Sequence, residues 1–243
     1  MKNFLDISDL SSQELRGIIE EATKRKSDRK GLNKSEPDND KPFNGKSMIM
    51  IFEKPSTRTR ISFDIAVKQL GGSSIFLSPE GIHYGKGNET LKDTAKVLSE
   101  YADIIMLRTS SHENLKEFGK HLTIPIINGL SNQSHPCQVM SDILTFEEEK
   151  GNIEGKSIAW LGDGNNNMSN SLIEAASKFN FILKIGCPKQ YQPNKKIVSW
   201  AKKNKTKLTV TNDPREAAKN VDCIMTDKWI SMNSKADNPL KTP

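Results

Sequence analysis

The sequence predicts an α/β protein: two doubly wound parallel-sheet domains joined by a helix, the second of them incomplete. Three observations lead there. Short apolar runs alternate with segments of helical spacing, the alternation restarts near residue 150, and the last residues carry no periodicity. Strands separated by helices call for parallel sheets covered on both faces.

The elements follow in order. The run Ser47-Met48-Ile49-Met50-Ile51-Phe52 ends at a Pro-containing turn and reads as a buried strand. Phe63, Val67 and Leu70 follow at helical spacing, and Gly71-Gly72 stops that helix. Residues 74–77 give a strand, Leu91, Ala95 and Leu98 one face of a helix, and residues 103–107 and 124–127 two further strands. Val139, Ile143 and Phe146 run along a helix from about Pro136 to Lys150, ending near Gly151. After the restart come strand 157–161, helix 169–179, strand 181–185, helix 195–203, strand 208–210, short helix 214–219 and strand 222–225. The domains are therefore drawn at residues 1–135 and 151–243, with residues 136–150 as the connecting helix. Residues 27–42 are polar and charged, hold Gly31, Pro37 and Pro42, and predict a mobile loop. Residues 234–243 carry two prolines and read as a domain cut short.

Composition narrows the function classes. With 35% hydrophobic and 27% charged residues the 243-residue chain has a soluble globular profile, and no apolar run approaches a membrane span. The N-terminus lacks a hydrophobic signal core, so the expectation is a cytoplasmic protein with no membrane partner. The net charge of +6 raises nucleic acid as a partner. Its excess lies in residues 24–30 and 195–207, with no aromatic residues interleaved to stack on bases. Those stretches read as solvated faces, nucleic acid is not expected, and the balance suits a small anionic substrate. Cys137, Cys187 and Cys223 are far apart and form neither a metal-type pair nor a disulfide framework. Cys187 and Cys223 adjoin apolar runs and are expected to be buried thiols; no metal or organic cofactor is expected.

Four segments carry candidate chemistry. Ser56-Thr57-Arg58-Thr59-Arg60 joins a buried strand to a helix, with Ser56 or Thr57 as N-cap. Unpaired N–H groups and the dipole at a helix N-terminus attract phosphate, and two hydroxyls with two guanidinium groups would complete a cradle. The plainer alternative is a capped helix with exposed arginines. The segment is not a P-loop, because the Gly-rich run and the Lys-Ser/Thr pair are absent. Arg108 ends a strand at the same carboxyl edge, and His135-Pro136-Cys137-Gln138 starts a helix with Pro in its first turn. Gly162-Asp163-Gly164-Asn165-Asn166-Asn167 superficially resembles a dinucleotide fingerprint, but the third glycine is missing and no acidic ribose partner follows. Asp227 follows the last strand.

Together these segments resemble the aspartate/ornithine carbamoyltransferase family. Ser56 to Arg60 is similar to its carbamoyl phosphate motif, Asn128-Gly129-Leu130-Ser131-Asn132-Gln133-Ser134-His135-Pro136-Cys137-Gln138 to its second motif, and the Gly162 to Asn167 and Asp227 to Met232 segments to its ornithine branch. The resemblance implies that Ser56, Thr57, Arg58 and Thr59 hold the phosphate, and that Arg60 is a supporting arginine. Thr59, Arg108 and His135 would donate to the carbamoyl oxygen, and Gln138 would hold the carbamoyl nitrogen. His83 stands where many relatives have Gln; a binding role and a plain loop histidine both stay open.

For ornithine the resemblance implies Asp227 and Ser231 on the amino and carboxyl groups, Met232 through its backbone, and Asn166 or Asn167, which the sequence does not separate. Asn233 stands where the family has Gly. The implied catalytic set is Arg58, Arg108, His135 and Asp227, in a trimeric transferase of arginine metabolism that makes L-citrulline, its direction left open. Lys86 would reach a neighbouring subunit's site or be a solvated loop lysine. Family members continue into a His-Cys-Leu-Pro loop, a later Arg and a final helix, so the resemblance also implies a site lacking part of its wall. Two alternatives stay open beside the main reading: a remnant that binds without turnover, and a carbamoyltransferase for another amine.

Overall fold

The computed structural model describes residues 2–78 and 89–227. It contains α1 (Ser12–Asp28), β1 (Ser47–Phe52), α2 (Thr57–Gln69), β2 (Ser73–Leu77), α3 (Leu91–Ser99), β3 (Ile104–Arg108), α4 (His112–His121) and β4 (Ile126–Leu130). These are followed by α5 (Pro136–Lys150), β5 (Ser157–Leu161), α6 (Asn167–Lys178), β6 (Ile182–Gly186), α7 (Lys195–Lys203), β7 (Leu208–Thr211), α8 (Pro214–Ala218) and β8 (Cys223–Met225). The chain divides into two units: Met1–Leu5 with Gly17–Ser131, and Asp6–Arg16 with Asn132–Pro243.

In the first unit the strands pair in parallel in the order β2-β1-β3-β4. Alternate residues of β1 serve opposite faces, as a pleated strand requires. Ile49 and Ile51 pack with Ala95, Leu115 and Phe118 of α3 and α4, while Met48, Met50 and Phe52 pack with Val67 of α2. Burial on both faces is why β1 is apolar throughout. Phe4 adds a bridge to the outer side of β4, its N–H donating to Ile126 O at 2.9 Å and its carbonyl accepting from Asn128 N–H at 2.8 Å.

The register of β3 and β4 slips at Leu107/Arg108, so that Arg108 pairs with Leu130 and Gly129 is passed over. A Cβ on Gly129 would collide with the Met106 sulfur, so a larger residue at this bulge would require the buried Met106 side chain to move. Bulges re-aim the strand ends beside them, and here that end carries Arg108.

The second unit has strand order β7-β6-β5-β8, again all parallel. Its core joins Ile158, Leu183 and Ile185 of the sheet to Val139 and Ile143 of α5 and Leu172, Ile173, Ala175 and Ala176 of α6, all buried. A 3-10 turn at Ile7–Asp9 docks on α6, where Ser8 N–H donates to Glu174 Oε2 at 3.0 Å and Lys178 Nζ to Leu10 O at 2.6 Å.

Three expectations are corrected. Residues 29–42 are not a free loop: Arg25 pairs with Asp38 at 2.8 Å and Asp40 at 2.9 Å, and Arg29 also pairs with Asp38, which is buried. Ion pairs between α1 and the loop replace the apolar contacts that the composition lacks. Cys223 is only half-buried, because β8 is an edge strand among the described residues, whereas Cys187 is buried as expected. The chain also forms α1 and α4, which the apolar periodicity did not mark.

Candidate functional site

In the first unit the candidate residues gather at the carboxyl edge of the sheet, where open α/β sheets bind ligands. Ser56 is the N-cap of α2 in an extended conformation, and its side chain makes no capping hydrogen bond. The hydroxyl therefore stays beside the free N–H groups of the first turn rather than satisfying one of them. Thr57, Arg58 and Thr59 make up that turn. Arg108 reaches it from the end of β3, its Nη1 donating to Thr59 Oγ1 at 3.3 Å.

The electrostatics are one-sided. Burial, and then the neighbouring Arg58, push the Arg108 guanidinium below its ordinary pKa. Arg108 Nε is buried without a hydrogen-bond partner. Among the described residues neither guanidinium is paired with a carboxylate. A buried charged donor left unsatisfied is costly unless something anionic completes it.

Arg60 is turned to another task. Its guanidinium carbon lies 3.8 Å from the Phe76 ring centroid, and Phe76 in turn lies 5.5 Å from Phe52. The side chain is stacked on β2, a geometry suited to cation–π attraction. Glu53 is a residue that the sequence reading did not single out. Its backbone N–H donates to Arg108 O at 2.9 Å, and its carboxylate accepts from Ser110 N–H at 2.9 Å, tying the ends of β1 and β3 together.

The second unit carries the other candidates. His135 is the N-cap of α5 with Pro136 following, and its N–H donates to Ser171 Oγ at 2.9 Å. Gln138 is exposed one turn into the helix, and its Nε2 donates to Asp142 Oδ1 at 2.9 Å. Burial raises the Asp142 carboxyl pKa most, the Gln138 hydrogen bond lowers it, and the nearby Asp227 raises it again. Asp227 itself is exposed, just beyond β8. The Cys137 thiol is pushed up to about 12 by burial, so it is neutral.

Asn166 and Asn167 separate clearly. Asn166 is a buried N-cap of α6: its Oδ1 accepts from Ser169 N–H at 2.9 Å and its Nδ2 donates to Asp163 O at 2.8 Å. Both ends of its amide are spent on the turn. Asn167 begins the helix and is half-buried. The turn itself needs its glycines. Gly162 has φ +133°, and a Cβ on Gly164 would come within 2.9 Å of Tyr191 O and 3.0 Å of Cys187 Sγ.

With this geometry established, the likeness to known proteins is specific. Residues 2–148 match the domain described as aspartate/ornithine carbamoyltransferase, carbamoyl-P binding, and residues 154–242 the one described as aspartate/ornithine carbamoyltransferase, Asp/Orn binding. The chain belongs to the aspartate/ornithine carbamoyltransferase family.

An ornithine carbamoyltransferase of Brucella ovis is 46% identical over 235 residues, spanning 97% of this chain and 73% of that protein. One from Rhodopseudomonas palustris is 47% identical over 234 residues, spanning 96% of this chain and 74% of that protein. Among solved structures, ornithine carbamoyltransferase from Pyrococcus furiosus aligns with a TM-score of 0.90 at 36% identity, covering 99% of this chain and 76% of that one. The anabolic ornithine carbamoyltransferase from Campylobacter jejuni aligns at 0.87 and 35%, covering 99% and 77%. The chain thus spans about three quarters of the length of these members of the family.

Within this family fold the first unit brings Ser56, Thr57, Arg58, Thr59 and Arg108 to one sheet edge, and the second carries His135, Gln138, Asn166, Asn167 and Asp227. His83, Lys86, Ser231 and Met232 lie outside the described residues. Asp142 is a further residue that sequence reasoning missed. Its signal was present as a Gln and an Asp four positions apart on one helix, a spacing that brings side chains together.

Proposed function

We propose that the protein transfers the carbamoyl group of carbamoyl phosphate to the side-chain amine of L-ornithine, giving L-citrulline and phosphate. The observation that carries this reading is the unpartnered cationic edge of the first unit, Arg58 with Arg108 and its unsatisfied Nε, at the N-terminus of α2. Such an edge fits a phosphate dianion.

Ser56, Thr57, Arg58 and Thr59 take the phosphate. Thr59, Arg108 and His135 donate to the carbamoyl oxygen, and Gln138 accepts from the carbamoyl nitrogen. The amine of ornithine, deprotonated at the moment of attack, adds its lone pair to the carbamoyl carbon. The carbonyl electrons move onto oxygen, where the donors stabilise them, and then return as the C–O bond to phosphate breaks, while the attacking nitrogen gives up one proton to the departing phosphate. Orientation and electrostatics do this work through the chain's own residues.

On the acceptor side Asp227 pairs with the α-ammonium group of ornithine, and Ser231 and Met232 complete the amino acid's contacts. Asn167 is assigned as the asparagine that meets ornithine, because the Asn166 amide is already committed at both ends. His83 is assigned to the carbamoyl phosphate side. The carbamoyl phosphate domain is drawn at residues 1–135 and the ornithine domain at 151–243, with α5 connecting them. The protein works as a cytoplasmic homotrimer. Ile61 on α2 and Ile75 on edge strand β2, 57% and 46% exposed, are apolar surface available to a second copy.

The test is citrulline formation from carbamoyl phosphate and L-ornithine, with putrescine and N-acetylornithine as competing acceptors. Turnover with ornithine alone supports the reading. Turnover only with another amine overturns the acceptor, and no turnover with any acceptor overturns the activity for this chain.

A further inference from the structure

In the carbamoyl-transfer reading, on which the role given to Asp142 below rests, Gln138 meets the carbamoyl nitrogen. A primary amide offers two unlike ends, an NH2 that only donates and an oxygen that only accepts. The carbamoyl nitrogen bears two N–H donors, so only the Gln138 oxygen recognises it; presented the other way round, the amide would set donors against donors. A glutamine at an exposed helix position is free to turn either way, and Gln138 is exposed.

It does not stand alone, however. Asp142 lies one turn further along α5 and accepts from Gln138 Nε2 at 2.9 Å. A carboxylate has no proton to give, so it takes the NH2 end of the amide and leaves Oε1 directed elsewhere. The carboxylate is half-buried, so it is itself held.

We propose that Asp142 is a positioning residue for carbamoyl recognition, fixing the Gln138 amide with Oε1 toward the substrate and so making the site choose a carbamoyl group over an acyl group of the same shape. Acetyl phosphate is that shape: it keeps the phosphate and the carbonyl and carries a methyl group where carbamoyl phosphate has NH2. The phosphate cradle does not distinguish the two; an oriented Gln138 does.

The experiment measures dissociation constants of carbamoyl phosphate and acetyl phosphate by calorimetry on the full chain, with Asp142→Ala, Gln138→Ala and the double variant. Wild type is expected to prefer carbamoyl phosphate. Asp142→Ala should reduce that preference about fivefold to tenfold, the scale of one hydrogen bond, while acetyl phosphate affinity changes less than about twofold. In the Gln138→Ala background Asp142→Ala should reduce it no further, since one residue acts through the other. Asp142→Leu, which keeps the side-chain size in a pocket that Phe146, Leu172 and Met225 also line, repeats the measurement should the alanine variant fail to melt cooperatively.

An unchanged preference in both single Asp142 variants overturns the proposal. So does an equal loss of affinity for both ligands, which would mark Asp142 as merely structural, or an additive loss in the double variant. A wild-type chain that binds the two phosphates equally overturns it as well, whereas failure of the carbamoyl transfer reading shows separately, as wild type that forms no citrulline.

Discussion

The two units are built alike, but the candidate residues they carry differ in charge. Each is a four-stranded parallel sheet covered by helices. In the first unit the carboxyl edge holds Arg58 and Arg108 with no carboxylate partner among the described residues. The second unit carries Asp142 on α5 and Asp227 beyond β8, close enough for Asp227 to raise the Asp142 pKa. One architecture thus carries a cationic cluster in one copy and an acidic pair in the other, and the difference lies in a few side chains. Backbone and core set where a ligand can be held, and the side chains at the edge set which charge it carries.

The largest effect should come from breaking the cationic side. Arg58→Ala is expected to weaken carbamoyl phosphate binding about a hundredfold by calorimetry, the scale of lost hydrogen bonds to a charged group. The melting temperature should barely change, because Arg58 is exposed. The matching change on the acidic side, Asp227→Ala, should raise the KM for ornithine about tenfold while carbamoyl phosphate binding alone is unaltered. If both substitutions weakened both ligands equally, the division of charge between the units would have no functional meaning.

A third prediction sharpens the comparison through stability. Burial, then Asp6 and Asp9, push Glu174 up to about 7 from an ordinary 4.5. A carboxyl raised in the folded state holds a proton that the unfolded chain has already lost. Stability should therefore fall as pH rises from about 4.5 through about 7. Glu174→Gln keeps an acceptor for Ser8 N–H and should raise the melting temperature at pH 8 by a few degrees, flattening its pH dependence.

The smallest effects separate neighbours in one turn. Asn166→Ala should cost about 1 kcal/mol, or about 2–4 °C of melting temperature, as loss of an N-cap does. Asn167→Ala should raise the KM for ornithine more than Asn166→Ala does. The reverse order would reassign the contact to Asn166.

How much of this was readable in the sequence depends on how local the physics is. The strands showed because each is a compact apolar run; most ends moved by a residue or two, where Arg108, Gly186 and Thr211 extend a ladder without adding apolar character, and β4 ended three residues later than expected, at Leu130. The helix α4 did not show because His112–His121 buries only His112, Leu115 and Phe118. The local arrangement of the segment proposed to hold phosphate was legible, since strand end, cap and two arginines are contiguous, whereas the Phe76 stacking that occupies Arg60 needed coordinates. Asp142 was hidden because Val139, Ile143 and Phe146 drew attention to the apolar face of α5. The ion pairs of Arg25 and Arg29 were hidden because a charged, proline-containing segment looks the same whether its charges meet water or each other.

The first sixteen residues have an implication for how the chain can be made and cut. Phe4 joins a strand whose sequence lies more than a hundred positions later, and Ser8 and Leu10 wait for Glu174 and Lys178, with Ser8 and Glu174 166 positions apart. On the ribosome this segment emerges well before its partners, so Phe4 must stay unpaired until β4 is made and Ser8 until α6 is made. A fragment started at residue 132 would bare the face of α6 that the Ile7–Asp9 turn covers. The second unit can be isolated intact only by carrying residues 6–16 along with it, by circular permutation or as an added peptide.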